Sequence, residues 1–92
     1  MRFAWDDAKN AENLQHHRIS FEVAVRIFDG LTLERWDGRE EYGEDRWIAV
    51  GLVDNRTVAV VYTERGDVIR PISARKATTD ERKAYEDYLA GC

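Results

Sequence analysis

Apolar positions recur every three or four residues in the first third of the chain and more nearly every second residue in its middle, which divides it into helices followed by strands. Arg2 to Trp5 has the pattern of a short edge strand, and Asp6 then offers a carboxylate to cap the first free amides of a helix. Ala8, Ala11 and Leu14 follow at spacing three among polar residues, predicting a short amphipathic helix that ends near His17. Ser20 is a second N-cap. Phe21, Ala24, Val25 and Phe28 form the clearest helical stripe in the chain, closed by Asp29-Gly30. Strands are predicted at Leu31–Trp36, Trp47–Val53 and Thr57–Thr63, the last two joined by Asp54-Asn55, a pair that tolerates left-handed backbone. Thr57–Thr63 is apolar on both faces and should be central. After the Arg65-Gly66-Asp67 turn, Val68–Arg75 is a further strand, which Pro71 pushes toward an edge or a local break. Thr78 and Glu81 have capping-box spacing, and Tyr85, Tyr88 and Leu89 give a last helix its apolar face before Gly91. The expected fold is α+β: an antiparallel β-meander with two N-terminal helices and one C-terminal helix.

Ninety-two residues suggest one domain, residues 1–92, with a modest core and a thin stability margin. No apolar run approaches the length of a membrane span, and no secretory signal is visible at Met1–Asp6. The one cysteine, Cys92, has no internal disulfide partner, so a cytoplasmic location is the default expectation. A net charge of −4 argues against a protein that coats nucleic acid by bulk attraction. Charge is unevenly spread, however. Glu34 to Arg46 holds six acidic and three basic residues, whereas Arg65 to Lys76 holds four basic and one acidic. The second segment is where a phosphate would be held.

The order and spacing of several fragments resemble the BrnT toxins. These are Trp5-Asp6 with Lys9 and Asn13; His17 before Ile19-Ser20-Phe21-Glu22, Ala24 and Phe28; Glu44 and Arg46 before Ile48 and Gly51; and, most specifically, Val60–Arg65, Arg70–Ala77, Glu81, Arg82 and Tyr85. The resemblance covers nearly the whole chain. It implies a RelE-like toxin of a type II toxin–antitoxin pair that cleaves RNA without a metal or other cofactor and so inhibits translation. The implied partner is a BrnA-type antitoxin resembling ribbon-helix-helix DNA binders. Operator DNA would be reached only through that partner, in a complex of two toxins and two antitoxins with no membrane role. The family commonly has Lys-His-Gly where this chain has His16-His17-Arg18, and many members have an aliphatic residue at Pro71. These departures leave open a catalytically inactive antitoxin-binding module that serves operon autoregulation.

Metal-independent RNA cleavage requires deprotonation of the 2′-hydroxyl, stabilisation of a phosphorane-like transition state, and protonation of the leaving 5′-oxygen. Arginine suits the second need, because its planar fork matches phosphate oxygens and stays charged. Arg65 and Arg75 are therefore catalytic candidates, with Lys9 and Glu64 as candidates for acid, base or charged contact; Arg70, Lys76 and His17 are candidate RNA contacts. If the strands around Gly66 are antiparallel neighbours, Arg65 and Arg75 lie up to about 30 Å apart, and share a phosphate only across a bent or broken strand. Strict alternation puts Arg70 on the face opposite Arg75. Each arginine also has an alternative as an ion-pair partner of Glu44, Glu64 or Asp67, Lys9 as a solvated helix residue, and His17 as a dipole-compatible cap. His16 is assigned to the surface. Adjacent histidines do not make a spaced metal pair, so no metal is expected. Trp5, Trp36 and Trp47 fit core or antitoxin contacts better than base stacking.

Overall fold

A computed structural model describes residues 1–39, 41 and 43–91; the expectations that touch Glu40 and Cys92 lie outside these residues. In chain order the elements are β1 (Arg2–Phe3), α1 (Asp7–His17), α2 (Phe21–Ala24), a 3-10 turn (Val25–Asp29), β2 (Leu33–Trp36), β3 (Trp47–Val53), β4 (Arg56–Arg65), β5 (Val68–Lys76) and α3 (Thr79–Ala90). The strands form one sheet in the order β1-β5-β4-β3-β2. Strands β2 to β5 are the expected antiparallel meander. The sheet as a whole is nevertheless mixed, because β1 enters beside β5 and runs parallel to it at Arg2 and Phe3. The whole run from α1 to β4 intervenes, more than the dozen residues that a parallel crossover needs.

Local signals placed most elements. Asp6 caps α1 by accepting the Ala8 amide at 2.8 Å, and Arg18 ends it in the left-handed conformation at φ 62°. Asp54 and Asn55 turn the β3–β4 hairpin with φ of 49° and 67°, as a two-residue primed turn requires. The capping box of α3 is complete: Thr78 Oγ1 accepts the Glu81 amide and Glu81 accepts the Thr78 amide. The second predicted helix is split, with α2 giving way to the 3-10 turn at Val25. In a 3-10 turn residues three apart eclipse, so Ala24 and Ile27 align and both are buried. Gly51 of β3 permits this close approach, since a Cβ there would lie 2.8 Å from Ile27 Cβ.

The core has two parts. Phe21, Ala24 and Ile27 pack on Ala49, Val58, Val60 and Tyr62 from one face of the sheet. On the other face Tyr85 of α3 packs with Ile48, Val50, Ala59 and Val61, and its hydroxyl donates to Leu31 O. Tyr62 is buried and its hydroxyl donates to Glu34. Burial first, and the Glu34 carboxylate second, push the Tyr62 phenol upward.

Helix α1 docks the other way from its sequence pattern. Ala8, Ala11 and Leu14 face solvent, with Leu14 49% exposed. The inward side is polar. Asn10 Oδ1 accepts the Phe21 amide, while Asn13 is buried against β5. Beyond Ile69 the outer edge of β5 has no strand partner, because β1 is only two residues long. The Asn13 side chain takes the place of one: Nδ2 donates to Ala74 O at 2.8 Å, and Oδ1 accepts the Ala74 amide at 3.0 Å. Nδ2 also donates to Ile19 O at 2.9 Å. Buried peptide groups must be paired, and an amide side chain carries the donor and acceptor that a neighbouring strand would supply. Pro71 lies on this same free edge, as an amide-less residue should.

Candidate active site

Alternation along β5 breaks opposite Val61 and Tyr62. Tyr62 pairs with Pro71 and Val61 with Ser73, so Ile72 is an extra residue, a β-bulge. Alternation had assigned Arg70 and Arg75 to opposite faces, and the bulge reverses that. Arg70 stands opposite Thr63, Arg75 opposite Ala59, and Arg65 opposite Val68. Arg35 of β2 stands opposite Ile48. Ile48 and Ala59 belong to the core under α3, so the register turns all four arginines toward the α3 face of the sheet.

Two of the four converge. Arg75 grips Glu81 through two bonds, Nη1 to Oε1 at 2.6 Å and Nη2 to Oε2 at 3.0 Å. Arg35 Nη2 lies 3.6 Å from Glu81 Oε2. The Glu81 side chain is only 9% exposed, that of Arg75 26%. The bonds from Arg75 outweigh desolvation and, with the Thr78 amide, hold the Glu81 carboxyl down to about 2. One residue thus caps α3 and orients an arginine. A guanidinium has five N–H donors, and Glu81 occupies two of those on Arg75. Two cations around one anion leave a net positive centre able to receive a phosphate oxygen.

The other sequence candidates, Arg70 excepted, fall into three hollows. Glu64 and Arg65 line one of about 400 Å³ with Glu44, Asp45, Trp47 and Thr63. Arg65 is 66% exposed and pairs with Glu44 at 3.4 Å. Three carboxylates against one guanidinium make this hollow repel phosphate. Lys9 and His17 line a second hollow of about 280 Å³ together with the bulge residues Ile72 and Ser73. Ser73 is two residues before Arg75 on β5, but Arg75 does not line this hollow. His17 and Lys76 line a third of about 560 Å³. Arg70 is half-buried and borders none of the three. Arg65 and Arg75 are not brought together: Ala59, the partner of Arg75, is six residues along β4 from Arg65, or about 20 Å. Lys9 and Glu64 likewise occupy separate hollows. Among the described residues, no three His, Cys, Asp or Glu side chains cluster as a metal site would need.

Sequence reasoning missed Glu81 and Arg35. Glu81 carried a signal, its capping-box spacing, but that spacing does not reveal which strand residue the cap also touches. Arg35 carried none.

The family model described as "Ribonuclease toxin, BrnT, of type II toxin-antitoxin system" matches residues 5–81. The chain belongs to the BrnT family. BrnT chains are ribonuclease toxins, and membership in a type II system implies an antitoxin partner. The fold agrees: the 1.1 Å crystal structure of the Brucella abortus ribonuclease toxin BrnT is similar, with a TM-score of 0.59 and 22% identity over 86% of this chain and 99% of that one. No curated protein matches the chain. The BrnT match takes in β5, its bulge and Glu81, and so spans the arginine cluster. Among the described residues, no helix is long and apolar enough to cross a membrane.

Proposed function

We propose that this BrnT chain cuts RNA without a metal, in the manner of a RelE-like toxin, and so inhibits translation in the cytoplasm. The observation that carries this reading is the Arg35–Glu81–Arg75 cluster on the α3 face of the sheet. Arg75, with Arg35 beside it, stabilises the extra negative charge of the phosphorane, the service a metal ion would otherwise provide. Glu81 is a positioning residue, because a carboxyl held near 2 is too weakly basic to take the 2′-hydroxyl proton efficiently. Lys9 reaches the site around the β5 edge as a charged contact or proton donor to the 5′-oxygen. Arg70 supports RNA on the same face. Arg65 and Glu64, about 20 Å away along β4 in the hollow whose three carboxylates repel phosphate, take no part in the catalytic step. A BrnA-type ribbon-helix-helix antitoxin covers the site in a complex of two toxins and two antitoxins, and operator DNA is bound through the antitoxin.

Purified protein should cut RNA in EDTA, and Arg75→Ala should lower the rate by about 10²–10³. Loss of cleavage in EDTA, or full activity in a folded Arg75→Ala variant, overturns the reading. The bidentate bond to Glu81 favours one alternative, a non-catalytic antitoxin-binding module in which Arg75 is structural. Under it, expression is harmless and RNA stays intact while the antitoxin still binds.

A further inference from the structure

The hollow of about 560 Å³ lies on the side of the β5 terminus away from Arg75, between the β3–β4 hairpin, the end of α1 and the start of α3. Its lining holds Arg18, Arg56, Lys76 and Arg82, with His17 beside them and no carboxylate among the described residues. In a chain of net charge −4 this is a concentration of charge against the overall sign. Among the described residues, Arg18, Arg56 and Lys76 find no side-chain hydrogen-bond or ion-pair partner, and Arg82 has only a 3.9 Å surface contact with Glu86. Uncompensated cations around a concavity repel one another, and among the described residues no anion lines this one. The floor is apolar, formed by Ile19, Val58 and Ala77. The volume falls within the range of small-ligand pockets, about 300–1,000 Å³.

We infer that this cleft is a second phosphate-binding site, which holds a nucleotide of single-stranded RNA flanking the one at Arg75. The inference rests on the ribonuclease reading above for its substrate. Lys76 follows Arg75 directly, and its register partner Val58 belongs to the opposite core face, whereas Ala59 opposite Arg75 faces α3. A strand held at Arg75 therefore crosses the end of β5 and meets the cations of the cleft at the neighbouring phosphate. The apolar floor receives the base or sugar, and Arg56 and Arg82 grip the backbone.

The test uses a short 2′-O-methyl oligoribonucleotide, which lacks the attacking hydroxyl and so separates binding from cleavage. Affinity is read by fluorescence anisotropy across a salt series, for the wild type, the double variant Arg56→Glu with Arg82→Glu, and the milder Arg56→Gln with Arg82→Gln. Thermal melts confirm folding. The charge-reversed variant should bind about tenfold or more weakly, with the log–log salt slope shallower by about 1.4 for two lost phosphate contacts. Unchanged affinity and slope in both variants overturn the inference. So does a variant that loses the antitoxin but keeps the oligonucleotide, because the cleft is then a protein-docking site. Wild type that binds through Arg56 and Arg82 but cuts nothing sinks the ribonuclease reading and leaves the cleft standing. Wild type that cuts RNA beside variants that bind unimpaired has the opposite meaning.

Discussion

Asn13 is the side chain whose loss should cost the fold most for its size. Its amide makes three buried hydrogen bonds of 2.8 to 3.0 Å, two to Ala74 that close the free edge of β5 and one to Ile19 O. Replacing it with Ala removes the amide and leaves the Ala74 N–H and the carbonyls of Ile19 and Ala74 without that partner. An unsatisfied buried group costs about 1–3 kcal/mol, so three give about 3–9 kcal/mol if no water enters, against a total of about 5–15 kcal/mol for a domain. Urea unfolding followed by tryptophan fluorescence should show the midpoint falling by at least about 1.5 M, taking a slope near 1–2 kcal/mol/M. Asn13→Asp refines the argument. One carboxylate oxygen can still accept the Ala74 amide, but the other faces two carbonyl oxygens. That geometry raises the folded pKa of the new carboxyl above its unfolded value. The variant should therefore be most stable at low pH and should lose stability as pH rises above the unfolded value, near 4. A midpoint within about 0.5 M of the wild type for Asn13→Ala, or no pH response in Asn13→Asp, would show that the amide is not what closes the edge.

Glu81 makes a prediction of opposite sign. Its folded pKa of about 2 lies below the ordinary 4.5, so its contribution is fully present above about 4.5 and is lost as pH falls through about 2. After solvent screening that contribution is roughly 1–2 kcal/mol, and Glu81→Gln should flatten the acid limb of a stability-against-pH curve; an unchanged limb refutes the ion-pair assignment. Gly51→Ala places a methyl 2.8 Å from Ile27 Cβ. Overpacking of this kind costs about 1–3 kcal/mol, visible as a lower melting temperature, and an unshifted melt means the 3-10 turn moves away freely.

Signals confined to a few neighbouring residues carried most of the fold. The bounds of β3, the caps at Asp6, Ser20 and Thr78, and the Asp54-Asn55 hairpin all follow from local chemistry. What the sequence hid depends on pairing between distant segments. The parallel seat of β1 beside β5 leaves no local trace. Pro71 announced a disturbance in β5, but not that an extra residue at Ile72 would bring Arg70 and Arg75 to one face. The alanines of α1 misled because the edge it covers offers bare peptide groups, which favour asparagine over a hydrocarbon face. For the candidate site, residue types were legible and partnerships were not. Arg75 stood out by its chemistry, while Glu81 and Arg35 meet it only through the packing of α3 and the register of β2.

The clasp between Glu81 and Arg75 also bears on when during synthesis the arginine is set. Glu81 belongs to the first turn of the last helix described, which leaves the ribosome after every strand of the sheet. A nascent chain that has folded its sheet but not yet docked α3 holds that guanidinium loose, so emergence of the helix and orientation of the arginine are one event.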